Sequence, residues 1–173
     1  MTVVIAGTGR VDAQSVNERE AKVAYLFNFA KFVEWPADVL PAGSPIALCV
    51  LGDSAMAFDL STAVRGREIA GRKVSVIDVK GDGSLAPCHL LYVTGLDQKH
   101  LDHLLAATVV MPLFTVGDAD RFAERGGVAS LFFDGGRMRF SINVNTAQRA
   151  HLTISSRLLA LATIIKDEAR VRE

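Results

Sequence analysis

The 173-residue chain has no uninterrupted apolar run approaching the roughly 20 residues that cross a bilayer. Asn28, Lys31 and Glu34 break one apolar stretch and Arg157 breaks another, so no membrane-spanning helix is expected. It also has no surplus of either charge: nineteen basic residues face nineteen acidic ones, and the sequence pI is near 6.9. Such a chain projects no long-range field toward phosphate backbones or anionic lipid, which argues against nucleic acid as a partner. Cysteine is scarce. Cys49 and Cys88 are the two in the chain, with no CxxC spacing and no histidine arrangement that suggests zinc. Internal repeats, low-complexity tracts and long linkers are missing as well, which leaves one domain as the economical reading.

What is present is an ordinary globular composition, half apolar and 22% charged. A chain of this length buries roughly 70% of its unfolded surface and needs no staple to fold. Residues 1–15 do not read as part of that fold. Val3-Val4-Ile5-Ala6-Gly7-Thr8-Gly9-Arg10 looks like a strand opening a dinucleotide turn, but Asp12 stands where the third glycine should be, and its charge would face the phosphates. No cofactor is expected. Val11-Asp12-Ala13 has small residues at the spacing a signal peptidase reads, without the basic start and longer apolar run of a full leader. The segment is read as a leader remnant or a frayed terminus, ahead of a domain over 16–166 and a polar tail over 167–173.

From Val16 to Trp35 the pattern is helical, with Asn17 as a cap, Glu18 and Glu20 in the first turn, and Pro36 as the stop. Its apolar residues occupy nearly every side, more than one face of a monomer usually buries. Ile46 to Leu51 reads as a buried strand followed by Gly52-Asp53-Ser54 and a helix to Val64. Strands are expected at Arg72–Val79, His89–Thr94 and Leu113–Val116, with a helix from Asp97 to Thr108 and a helical turn from Asp118 to Arg125. Val128–Phe133 and Met138–Val144 should pair through Asp134-Gly135-Gly136-Arg137, and a last helix should run from Ser155 to about Lys166. The fold class that follows is α/β: a mixed, mainly parallel β-sheet with helices on both faces and a late antiparallel hairpin.

Several groupings carry chemistry. Leu51-Gly52-Asp53-Ser54 looks like the nucleophile block of GDS esterases, and Asp97-Gln98-Lys99-His100 has their Asp-x-x-His spacing, which would make Ser54 the nucleophile with Asp97 and His100 as its relay. The histidine follows the serine too soon for that fold, and no Gly-x-Asn-Asp segment supplies oxyanion donors, so helix capping by Asp53 or Ser54 and by Asp97 accounts for both blocks. His100 and His103 stand three apart, with Asp97 or Asp102 near, but two ligands do not make a metal site and none is expected. Arg149 and His151 form a candidate cationic site for an anionic or aromatic ligand, against the plainer reading of a solvated turn. Cys49 and Cys88 should pair if the chain is exported and remain buried thiols if it is cytosolic.

The run from Lys22 through Tyr25-Leu26-Phe27-Asn28-Phe29 to Phe32-Val33-Glu34-Trp35-Pro36 resembles the opening helix of the YfiR family. The likeness continues in order through Cys49-Val50-Leu51-Gly52-Asp53, Gly71-Arg72, Cys88-His89, Thr115-Val116-Gly117-Asp118 and Phe122-Ala123-Glu124-Arg125-Gly126-Gly127. It ends with Arg139-Phe140-Ser141-Ile142-Asn143 and Leu152-Thr153-Ile154-Ser155-Ser156-Arg157-Leu158-Leu159, covering about Glu20 to Ile165. The resemblance implies an exported, usually periplasmic, homodimeric regulator without catalytic activity. It further implies binding to the periplasmic region of a membrane signalling protein, inhibition of a diguanylate cyclase with lowered cyclic di-GMP, and capture by an outer-membrane lipoprotein. By the same resemblance Cys49 and Cys88 form the family's disulfide, while the second bridge of the family's type member has no counterpart here. The expected contact surface is the aromatic helix around Phe29, Phe32 and Trp35.

Overall fold

The computed structural model describes residues 10–167. A long helix α1 (Arg10–Lys31) leads into a short strand β1 (Val33–Glu34). Then come β2 (Ile46–Leu51), α2 (Ser54–Val64), β3 (Glu68–Ile69), β4 (Arg72–Val79) and β5 (Leu90–Val93). They are followed by α3 (Gln98–Thr108), β6 (Phe114–Gly117), β7 (Ala129–Asp134) and β8 (Arg137–Asn143). The described part closes with α4 (Val144–Arg149), β9 (Thr153–Ile154), α5 (Ser156–Leu159) and β10 (Thr163–Ile165).

Eight strands form one sheet in the order β10-β8-β7-β6-β5-β2-β4-β3, while β1 and β9 make a separate two-stranded pair. Every neighbouring pair in the large sheet is parallel except β7 with β8 and β3 with β4. The mixed, mainly parallel α/β architecture with its late hairpin is thus the one the residue pattern implies. The hairpin turn is Gly135-Gly136, both at positive φ, as a two-residue loop of right-handed twist requires.

Side-chain alternation assigns the helices to faces. Ile46, Leu48 and Val50 of β2, with Leu90 and Tyr92 of β5, join the core under α1 and α2. Cys49, Leu91 and Val93 point the other way, toward Leu101 and Leu105 of α3. Asp53 caps α2 by accepting from the Met56 N–H at 3.0 Å, and Asp97 caps α3 by accepting from the His100 N–H at 2.9 Å.

Three expectations are corrected. Helix α1 begins at Arg10, earlier than the expected start at Val16; residues 1–9, with the glycine-rich stretch, and residues 168–173 lie outside the described residues. The helix also stops at Lys31, short of Trp35, because Val33 and Glu34 are taken into antiparallel pairing with Ile154 and Thr153. The helix expected from Ser155 to Lys166 is broken after one turn: Thr163-Ile164-Ile165 pairs with Ser141-Ile142-Asn143, where β-branched residues fit a pleated surface better than a helix.

Candidate functional site

The chain leaves β2 toward β4 on one side and then places β5, β6 and β7 on the other, so the C-terminal ends of β2 and β5 flank a topological switch point. Gly52 sits there at φ +100°, and a Cβ on it would strike the carbonyl oxygen of Thr94. The two strand ends therefore touch, and α1 lies across them. Lys22 of α1 donates to Asp118 at 2.8 Å and pairs with Glu18 at 2.9 Å. Asp118 also accepts from the Tyr92 hydroxyl at 2.8 Å and from the Thr94 hydroxyl at 3.2 Å. Burial pushes the Asp118 carboxyl up, but the hydrogen bonds from Lys22 and Tyr92 outweigh it and hold it below the usual carboxylate range. Burial likewise pulls Lys22 down, and its bonds to Asp118 and Glu18 outweigh that and raise it. Both groups stay ionised, and Arg19 adds pairs to Asp53 and Asp59, each at 3.6 Å.

Beside this clamp runs an open groove of about 550 Å³, bounded by Lys22, Asp118, Arg121, Phe132, Phe133 and Thr163 among others. It leads to the outer strands of the sheet. Among the described residues, seven large apolar side chains are exposed; Phe132 and Phe133 of β7 line this groove, while Leu161 and Ile164 lie just before and on the edge strand β10. No described strand pairs with the outer side of β10. An unpaired strand edge with exposed apolar side chains is the kind of surface that can take up a further strand or a partner. The residue pattern alone missed it, because the edge exists only once Thr163–Ile165 has left the helical register.

The residues expected to act are placed as follows. Phe29 is fully buried, packed on Phe114 and Phe140 with ring centroids 5.6 and 5.1 Å away. Trp35 is nearly buried and donates its indole N–H to the His89 carbonyl at 3.0 Å. Phe32 is half-buried. These rings serve as core, and the exposed surface on offer lies elsewhere. Cys49 and Cys88 form a disulfide with Cα atoms 5.8 Å apart.

Ser54 and His100 line one cleft of about 570 Å³ together with His103. Within it the Ser54 hydroxyl is held by Lys80 and Asp78, while His100 Nδ1 meets Asp97 at 2.6 Å. No hydrogen bond joins Ser54 to His100 among the described residues, so the hydroxyl is partnered by the Lys80–Asp78 pair instead of the histidine expected to activate it. The esterase reading is not supported. Arg149 is committed to Asp167 at 2.6 Å and to Thr146 at 3.0 Å. Asp167, expected in a tail, also accepts from Asn143 at 2.8 Å, and these bonds hold its carboxyl below the usual range. His151 is exposed at φ +57°, and no recorded bond brings it to Arg149.

The motif Thr115–Asp118 with Phe122–Gly127 has a packing explanation. The buried Phe122 ring lies against Gly117 and Gly127, where a Cβ on either would overlap it.

A family model described as YfiR/HmsC-like matches residues 19–163. No curated protein is a significant match. Among solved structures, a conserved domain protein from Vibrio cholerae is similar at 18% identity and TM-score 0.53, covering 76% of this chain and 57% of its own. The ABC domain in complex with L-Trp from Streptococcus pneumonia is similar at 14% identity and TM-score 0.55, covering 83% of this chain and 62% of its own. The chain thus spans about three-fifths of the length of these two solved proteins, and at such identities the likeness is one of fold.

Proposed function

Because the chain belongs to the YfiR/HmsC-like family, we propose that it is a non-catalytic periplasmic regulator that binds the extracytoplasmic region of a membrane-bound diguanylate cyclase and restrains it. The observation that carries this reading is the edge strand β10, unpaired on its outer side among the described residues, with Ile164 on it and Leu161 just before it exposed. A surface of that kind suits docking, and the disulfide between Cys49 and Cys88 suits a compartment outside the reducing cytoplasm. A regulator of this type acts only through unequal affinity for the active and inactive forms of its partner. The same edge is available to an outer-membrane lipoprotein that would compete for it.

The test is made in the native cell. Deleting the protein raises cyclic di-GMP, and the combined changes Phe133→Asp and Ile164→Asp reproduce that rise while leaving the circular dichroism of the purified protein unaltered. Unchanged cyclic di-GMP in the deletion strain sinks the cyclase role.

A further inference from the structure

Strand pairing and side-chain alternation fix which residues of the outer sheet share a face. Ser130 of β7 stands opposite Ser141 of β8, and Ser141 in turn is partnered by Thr163 of β10. All three line the groove of about 550 Å³, as do Phe132 and Ile165, each two positions further along its own strand. Ile164, between Thr163 and Ile165, belongs to the opposite face and is exposed there. The floor of the groove is therefore the sheet itself, and α1 is the one helix that contributes to its walls. That floor ends at the outer side of β10, where no described strand follows. A segment pairing with β10 would widen it, sending its own side chains alternately over the groove and over Ile164.

The walls above this floor are uneven in charge. Glu18, Asp118, Asp120 and Glu124 bring four carboxylates, against the two cations Lys22 and Arg121. Lys22 is already engaged by Asp118 at 2.8 Å and by Glu18 at 2.9 Å. Arg121 approaches Glu124 only to 3.7 Å, on a side chain that is largely exposed. Asp120 has no ion pair and no side-chain hydrogen bond among the described residues. The exposed Phe132 ring offers a π face to the same space, and a cation is attracted by ring and carboxylates alike. An acidic side chain placed there would meet like charge, and an apolar one would strip water from Asp120 and Glu124 without replacing it. On the other face Ile164 favours an apolar cross-strand neighbour.

From this arrangement we infer that β10 takes up an extended segment of another protein in which arginine or lysine alternates with apolar residues. Its cations enter the groove beside Phe132, Asp120 and Glu124, and its apolar side chains cover Ile164. The inference deepens the docking role proposed above and rests on that reading for the partner being a signalling protein. The recognition chemistry rests on the groove and the strand edge alone.

Fluorescence anisotropy of labelled peptides, added to the oxidised full-length chain, measures the preference. A peptide alternating arginine with valine binds, and its counterpart with glutamate in place of arginine binds about ten-fold more weakly or not at all. The combined changes Asp120→Lys and Glu124→Lys, both at exposed side chains, remove that preference while circular dichroism stays unaltered. Strand addition uses the backbone groups of one edge of the peptide. Methylating the amide nitrogens of its arginines, or alternatively of its valines, therefore abolishes binding in one of the two forms and spares the other. Equal affinity for the arginine and glutamate peptides, a preference that survives in the double variant, or equal binding of both methylated forms overturns the proposal. Unchanged cyclic di-GMP in the deletion strain sinks the cyclase role and leaves the peptide preference standing, whereas a missing preference sinks this inference and leaves the cyclase role standing.

Discussion

Under α1 and α2 the sheet is closed by large rings from distant parts of the chain: Tyr25, Phe29, Phe114 and Phe140 meet edge-on or tilted, with centroids 5.1 to 5.9 Å apart. Under α3 the closure relies on smaller aliphatic side chains, a covalent bridge from Cys49 to Cys88, and Phe122 set against two glycines. The first face draws its stability from apolar area and close packing, which act in the folded state. The second gains part of its stability by limiting the unfolded chain, which depends on the redox state of the compartment. The faces should therefore respond to different perturbations.

Phe29→Ala breaks the aromatic face hardest. The side chain is fully buried and contacts three other rings, so the loss is about 4 kcal/mol, made of lost burial and a residual cavity. Chemical denaturation under oxidising conditions reads it directly; a loss below about 1 kcal/mol would mean the ring is not the centre of that face. Opening the bridge should cost somewhat less. Replacing both cysteines by alanine removes a cross-link between positions separated by 39 residues and lowers stability by about 3 kcal/mol. Dithiothreitol then has no further effect on the double variant, whereas it destabilises wild type and Phe29→Ala by equal amounts. Unequal amounts would show that the two faces are coupled across the sheet instead of acting independently.

The contrast between what the residues foretell and what they hide follows the range of the interactions. The span Arg72–Val79 is a strand with the limits its alternation gives, and Gly135-Gly136 marks the β7–β8 hairpin by local backbone freedom. Helix α3 and its Asp97 cap are equally local. Misreadings arise where a distant partner decides. Phe32 to Trp35 keeps a helical apolar pattern, yet β9 captures Val33 and Glu34; Leu158 to Ala162 reads as helix, yet the residues just after it add to β8. The clamp at Asp118 is hidden for the same reason, since Lys22, Tyr92 and Thr94 reach it from separate elements. Phe29 and Trp35 are visible as important but not as buried, because one helix cannot show how many of its sides the sheet will cover.

The smallest expected effect lies at the seam between the two faces. His89 follows Cys88 of the bridge and packs against Trp35, with ring centroids 5.9 Å apart. Its Nδ1 accepts from the Ala47 N–H at 3.0 Å, so the proton of the neutral ring is on Nε2, facing the Val39 carbonyl at 3.4 Å. Burial pulls the imidazole below its ordinary range, and the Val39 contact only partly offsets this. Protonating Nδ1 would remove the acceptor on which a buried backbone N–H depends. The folded state thus binds its proton less readily than the unfolded chain, and the sign follows: the His89 contribution is complete above the unfolded value near 6.5, declines as pH falls below it, and levels off once the folded ring is protonated. The slope cannot exceed about 1.4 kcal/mol per pH unit for a single proton. Unfolding curves between pH 7.5 and pH 5, compared with those of His89→Gln, isolate this term from the carboxylates that titrate lower. The variant should be less stable at pH 7.5 and flatter toward pH 5, whereas parallel curves would mean that the ring titrates as freely in the folded protein as in the unfolded chain.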